Sequence, residues 1–135
     1  MGLRSIYIDT EHTFSSLRLL SMLGGIDGKQ EHLLELVRTE TVFDCDALMH
    51  LLMQIEVELK DDQQKSTFDS CPALLIIDSI AAPLRMSTSG YNQESILLQF
   101  TDRAKQLATR HNLLVLGKTA VLRLYPYVHL QSPIR

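Results

Sequence analysis

Two apolar runs, Ser5-Ile6-Tyr7-Ile8-Asp9 and Ala73-Leu74-Leu75-Ile76-Ile77-Asp78, end abruptly in acid. Runs this apolar predict strands of a parallel sheet with helices over both faces, because a sheet with one wet face alternates in polarity. The first predicted strand is Ile6 to Asp9. Ser15 or Ser16 then caps a helix carrying Leu17, Leu20 and Leu23, stopped by Gly24-Gly25. Asp27-Gly28 is a turn, Glu31 to Val37 a short helix, and the β-branched and aromatic stretch Thr39 to Phe43 a strand. Asp44 or Asp46 caps a helix whose Leu48, Leu51, Leu52, Ile55 and Leu59 fall on one stripe of 3.6-residue period. Residues 61–70 are polar and unpatterned, a solvated loop, before the strand Leu74 to Asp78.

Beyond it, Pro83 is expected to end regular structure, and Met86 to Gly90 to form a loop. Asn92 caps a long helix to about Arg110 that turns Ile96, Phe100, Ala104, Leu107 and Ala108 inward. Asn112 breaks it and Leu113 to Leu116 forms another buried strand. Strands alternating with helices of this length predict an α/β fold of parallel βαβ units. The chain divides into a core over residues 1–120 and a divergent tail over 121–135, which has no periodicity.

Composition narrows the classes. A chain of 135 residues, 45% apolar, is about one domain and can build a core. The net charge of −3 removes any global basic signature of nucleic-acid binding, so such contacts must come from local loops. Cys45 and Cys71 lack metal-site spacing and are expected as reduced thiols. No apolar run reaches the roughly 18 residues of a membrane span. The Met1-Gly2-Leu3-Arg4 start lacks the pattern of a signal peptide, which points to the cytosol or nucleus.

Carboxylates just past the carboxyl ends of parallel strands sit where open α/β sheets bind ligands. Asp78, closing an aliphatic strand, has the Walker B pattern that holds Mg²⁺ in phosphoryl-transfer sites, although a strand ending in Asp is common in α/β proteins. Glu11 is placed to orient or deprotonate a water; alone it would read as a solvated loop carboxylate. A phosphate-cradling Gly-x-x-x-x-Gly-Lys-Ser/Thr loop is not among these residues. Gly28-Lys29-Gln30 lacks the hydroxyl residue and has Leu23 where the first Gly belongs. Gly117-Lys118-Thr119 has Asn112 there, and a strand fills the space of the loop. The five histidines show no ligand spacing.

Taken together, IYIDTEHTF at residues 6–14 and ALLIIDSIAAPLR at residues 73–85 resemble the RecA family of DNA strand-exchange ATPases, most nearly the eukaryotic recombinase paralogues of homologous recombination. The helix Ser95 to His111 and the strand after it are also similar, so the resemblance covers residues 4–116. It implies a partial RecA-like P-loop NTPase core whose first strand, the P-loop strand, is missing. It assigns Glu11 as the catalytic carboxylate, Asp78 as the Mg²⁺ acid acting through water, and Ser79 to the nucleotide site. It puts the first DNA-binding loop at Arg85 to Gln93, with Arg85 on phosphate and Tyr91 stacking on a base. It further implies ATP and Mg²⁺ for the complete family member, single-stranded DNA and other recombinase paralogues as partners, and a nuclear role in double-strand break repair. Gly117-Lys118-Thr119-Ala120 stands where the family has a polar Thr-Asn-Gln signature. The departures lead us to expect a truncated isoform or partial gene product, not competent for ATP by itself.

Two alternatives accompany that reading. One is a non-catalytic module that uses the paralogue fold to bind partners. The other is a phosphoacceptor receiver domain with Asp9, Glu11, Asp78 and Lys118 in its acid and lysine roles. Against the receiver, Pro83 and Gly90 come later after Asp78 than that pattern requires, and the polar stretch 61–70 is foreign to it.

Overall fold

The computed structural model describes residues 4–23, 31–64, 72–86, 90–118 and 128–130. In chain order they form β1 (Arg4–Asp9), α1 (Ser16–Met22), a 3₁₀ turn (Glu31–Leu36), β2 (Val37–Thr41), α2 (Cys45–Gln64), β3 (Pro72–Asp78), α3 (Ala81–Met86), α4 (Gly90–His111), β4 (Leu114–Gly117) and β5 (Val128–Leu130). The sheet order is β2-β1-β3-β4-β5. The first four strands are mutually parallel, and β5 pairs antiparallel with β4. The α/β class and the parallel βαβ units are as the sequence predicts.

The chain steps from β1 outward to β2 and then returns past β1 to β3. The order therefore reverses between β1 and β3, and a crevice opens at the carboxyl ends of strands at such a reversal. Asp9 and Asp78 are register partners at those ends.

Alternation along the strands sends Ile6, Ile8, Leu75, Ile77 and Val115 to one face, all buried. There they join Leu48, Leu52, Ile55 and Leu59 of α2 and Phe100, Ala104, Leu107 and Ala108 of α4 in one core. Every residue of the predicted α2 stripe is buried, as the 3.6-residue period requires. Asp44 starts that helix, its Oδ1 accepting from the Ala47 N–H at 2.7 Å.

The opposite face is more open. Tyr7, Leu74 and Ile76 are only half-buried, and Leu114 and Leu116 are exposed. α1 is capped as predicted, by Ser15 accepting from Arg18 N–H, but it buries no residue and leaves Leu17 and Met22 exposed. The expectation of helices over both faces is thus met fully on one.

Other boundaries shift for local reasons. β2 begins two residues before the predicted Thr39 and ends before Phe43, which projects into solvent; Val42 continues the ladder by donating to Asp9 O at 3.2 Å. α2 runs to Gln64, four residues into the stretch expected as loop. Pro83 does not end regular structure: it is the third residue of α3, in the first turn, where no backbone N–H is needed. α4 starts at Gly90, so Asn92 lies inside it, and Asn112 ends it in the left-handed region at φ 52°. The predicted turn at Asp27-Gly28 and Cys71 lie outside the described residues.

Helices α2 and α4 are clasped by charge as well as packing. Glu56, 4% exposed, meets Lys60 at 3.0 Å, Arg103 at 2.9 Å and Arg110 at 3.0 Å. A buried carboxylate is tolerated only when so compensated.

Candidate functional site

The two acid-tipped strands become adjacent at the switch point, but their acidic and hydroxyl groups do different work. Asp9 is buried and turns into its own loop. Its Oδ1 accepts from the N–H groups of Glu11 (3.1 Å) and Thr13 (3.2 Å), and its Oδ2 from Phe14 (2.8 Å). Burial pushes its carboxyl upward, but these donors, with that of His12, outweigh it and hold the group below the ordinary carboxylate range. Asp9 therefore shapes the turn that presents Glu11, and has little left to offer a ligand.

Thr10 ties the ends of β1 and β3 together. Its N–H donates to Asp78 O at 2.9 Å. Its hydroxyl accepts from Ser79 N–H at 2.8 Å and donates to Ser79 O at 2.7 Å. The Asp78–Ser79 peptide bond is cis. With its backbone so held, buried Ser79 projects its hydroxyl to Glu11, donating to Oε1 at 2.7 Å. Arg85, on α3, donates to the same oxygen at 3.3 Å. The Ser79 bond first, then the Arg85 bond and the nearby Lys118 charge, outweigh the upward push of burial and hold the Glu11 carboxyl low, so Glu11 is an anion near neutral pH.

Asp78 is enclosed differently. Tyr7 lies two residues below the tip of β1, on the face shared with the tip, and its hydroxyl donates to Asp78 Oδ2 at 2.8 Å. Burial, then this bond, pushes the Tyr7 phenol well above its ordinary range. The Tyr7 ring is braced by Phe14 at 4.9 Å between centroids. Asp78 Oδ1 is buried without a hydrogen bond among the described residues, and Lys118 Nζ stands 3.4 Å from it. Lys118 follows β4 directly, and its backbone is fixed by donating to Ile77 O (3.1 Å) and accepting from Ile80 N–H (2.9 Å).

Of the residues expected at the site, the structure brings together Glu11, Asp78, Ser79 and Arg85. Arg85 is engaged with Glu11 and remains 60% exposed on its side chain. Tyr91 sits in the first turn of α4; its side chain lies outside the described residues, as do positions 87–89 of the expected DNA loop. His12, at φ 57°, packs its ring on Phe43 at 4.7 Å, while its backbone N–H helps to hold the Asp9 carboxylate. Residues 114–117 are strand, as expected for the Gly-Lys pair that is not a phosphate loop.

Tyr7, Thr10 and Lys118 are the parts that the recombinase reading of the sequence missed. A tyrosine two positions before a strand-end acid is a usable signal only once the neighbouring strand's register is known.

A divalent cation fits poorly here. Among the described residues no three His, Cys, Asp or Glu side chains converge as a metal cluster. One Asp78 oxygen is taken by Tyr7 and the other faces an ammonium. Among the described residues, too, no helix is long and apolar enough to cross a membrane.

No curated protein matches the chain. The Rad51 family model, however, matches residues 2–123, which takes in both acid-tipped strands, the Thr10–Ser79 tie and β4. With that extent of match, and with the site acids at the ends of adjacent parallel strands, the chain belongs to the Rad51 family and hence to the recombinase-type proteins of DNA recombination and repair.

Proposed function

We propose that the chain acts in homologous recombination and double-strand break repair as a non-catalytic recombinase-paralogue module in the nucleus, working through other recombinase paralogues and single-stranded DNA. The observation that carries this is the internal neutralisation of the site: Glu11 is bonded to Ser79 and Arg85, and Asp78 is flanked by Tyr7 and Lys118. In the ATPase reading of the family, Glu11 would activate water, Asp78 would hold a hydrated Mg²⁺ and Ser79 would face the nucleotide. With no phosphate-cradling loop among these residues, the acids alone supply little binding free energy for ATP. Arg85 and Tyr91 are proposed as the phosphate and base contacts of a DNA-facing loop, Arg85 exchanging Glu11 for a phosphate when DNA arrives.

The test is complementation in cells depleted of this protein and challenged with double-strand breaks. Homology-directed repair should fall on depletion and recover with wild type and equally with Glu11→Gln. Failure of Glu11→Gln alone favours the catalytic reading. No repair defect on depletion overturns the proposal.

A further inference from the structure

Glu11 and Asp78 are each paired with a cation, and the two pairs differ in origin. Arg85 reaches Glu11 from α3, while Lys118 reaches Asp78 from the end of β4. The Lys118 backbone is held on both sides, to Ile77 and Ile80, so the ladder delivers its side chain to the carboxylate. The contact is to Oδ1, the oxygen that Tyr7 leaves free, and that atom is shut off from solvent. A divalent ion would have to bind within about 2 Å of the oxygen, beside an ammonium that already stands 3.4 Å from it.

We infer that Lys118 is a resident counter-ion that takes the place of a divalent cation at Asp78 and so excludes metal from the site. The inference rests on the reading of Asp78 as the family's cation-binding acid. It goes further by assigning Lys118, on this chain, the part of the metal. A tethered ammonium neutralises one charge at any concentration of free metal, and it repels an incoming dication twice as strongly as a monocation. Among the described residues, Tyr7 offers Asp78 a neutral donor and Arg85 is bonded to Glu11, which leaves Lys118 as the cation beside Asp78.

The experiment uses terbium luminescence. The chain has no tryptophan, and Tyr7, bonded to Asp78, is the sensitiser nearest to any ion held there. Wild type should give no saturable sensitised emission beyond that of Asp78→Asn. Lys118→Met, which keeps the length and removes the charge, should bind Tb³⁺ at least about tenfold more tightly. Lys118→Arg should stay silent. The Lys118→Met signal should vanish in the double variant with Asp78→Asn and be competed by Mg²⁺. Lys118 is 62% exposed on its side chain, so these variants are expected to keep the wild-type circular dichroism.

If wild type binds Tb³⁺ at Asp78 as tightly as Lys118→Met, the counter-ion role falls and the family reading of Asp78 stands. If Lys118→Met binds none while still folded, Asp78 is no cation ligand, and both readings fall. Emission that survives Asp78→Asn places the ion elsewhere and overturns the inference.

Discussion

The Thr10 hydroxyl satisfies both backbone polar groups of Ser79, accepting from its N–H at 2.8 Å and donating to its carbonyl at 2.7 Å. Both residues are buried, so neither Ser79 group has water as an alternative. Thr10→Val keeps the shape and removes the partner, stranding a donor and an acceptor. The loss should be about 3 kcal/mol in urea unfolding, while Thr10→Ser should lose under about 1 kcal/mol. Equal losses for the two would mean that packing, and not hydrogen bonding, holds the crevice.

Tyr7 should keep its phenolic proton well above the ordinary phenol range. Burial and the bond to Asp78 raise its pKa in the fold, so the folded state holds that proton more tightly than the unfolded chain. The associated stability is intact below the ordinary phenol value of about 10 and is lost as pH rises beyond it. Absorbance titration should show a late tyrosine step that Tyr7→Phe removes. A titration above about pH 10 that Tyr7→Phe leaves unchanged in shape would contradict the geometry.

Acid should loosen the α2–α4 clasp through His111. Both of its ring nitrogens are buried without a hydrogen bond among the described residues. Burial lowers its pKa; Glu56 pulls it up, while Lys60 and Arg110 push it further down. A base with a depressed pKa supports the fold above its unfolded value, and that support is lost as pH falls through the unfolded pKa of about 6.5. The urea midpoint should therefore drop between about pH 7.5 and pH 5.5, and His111→Leu should blunt the drop. Asp9 and Glu11 titrate below that window, since both carboxyls are held low.

Gly117 is crowded by a neighbouring side chain, and its own backbone angles do not call for glycine. A Cβ built there comes 2.8 Å from Ile80 Cδ1. The atom met is the end of a flexible side chain, so Gly117→Ala should destabilise by under about 1 kcal/mol, and Ile80→Val, which removes that methyl, should recover part of it in the double variant. Strict additivity in the cycle would show that the two side chains do not meet.

How much of this was legible in advance follows from the range of each interaction. The stripe from Leu48 to Leu59 and the inward face of α4 were readable, because a helix that buries one face must repeat its apolar residues at helical spacing. The strand-end acids were readable for the same local reason, and their pattern carried the family. Pro83 was misread because a proline ends a helix from inside but is harmless in its first turn, a difference set by where the helix starts. The stretch from 121 to 135 has no periodicity, yet Val128–Leu130 pairs with β4. Such pairing depends on an available edge elsewhere in the chain. The contacts Tyr7 to Asp78, Thr10 to Ser79 and Lys118 to Asp78 join residues far apart in sequence. They became visible only when the register of β1, β3 and β4 was known.

The pinning of the Lys118 backbone has a genetic consequence. Because the strand ladder fixes the backbone at position 118 beside Asp78, a single codon sets the charge carried next to that acid. One base change turns a lysine codon into one for glutamate, glutamine or asparagine. Descendants of this gene can therefore move between a sealed crevice and an open one in a single mutational step, with the rest of the site left in place.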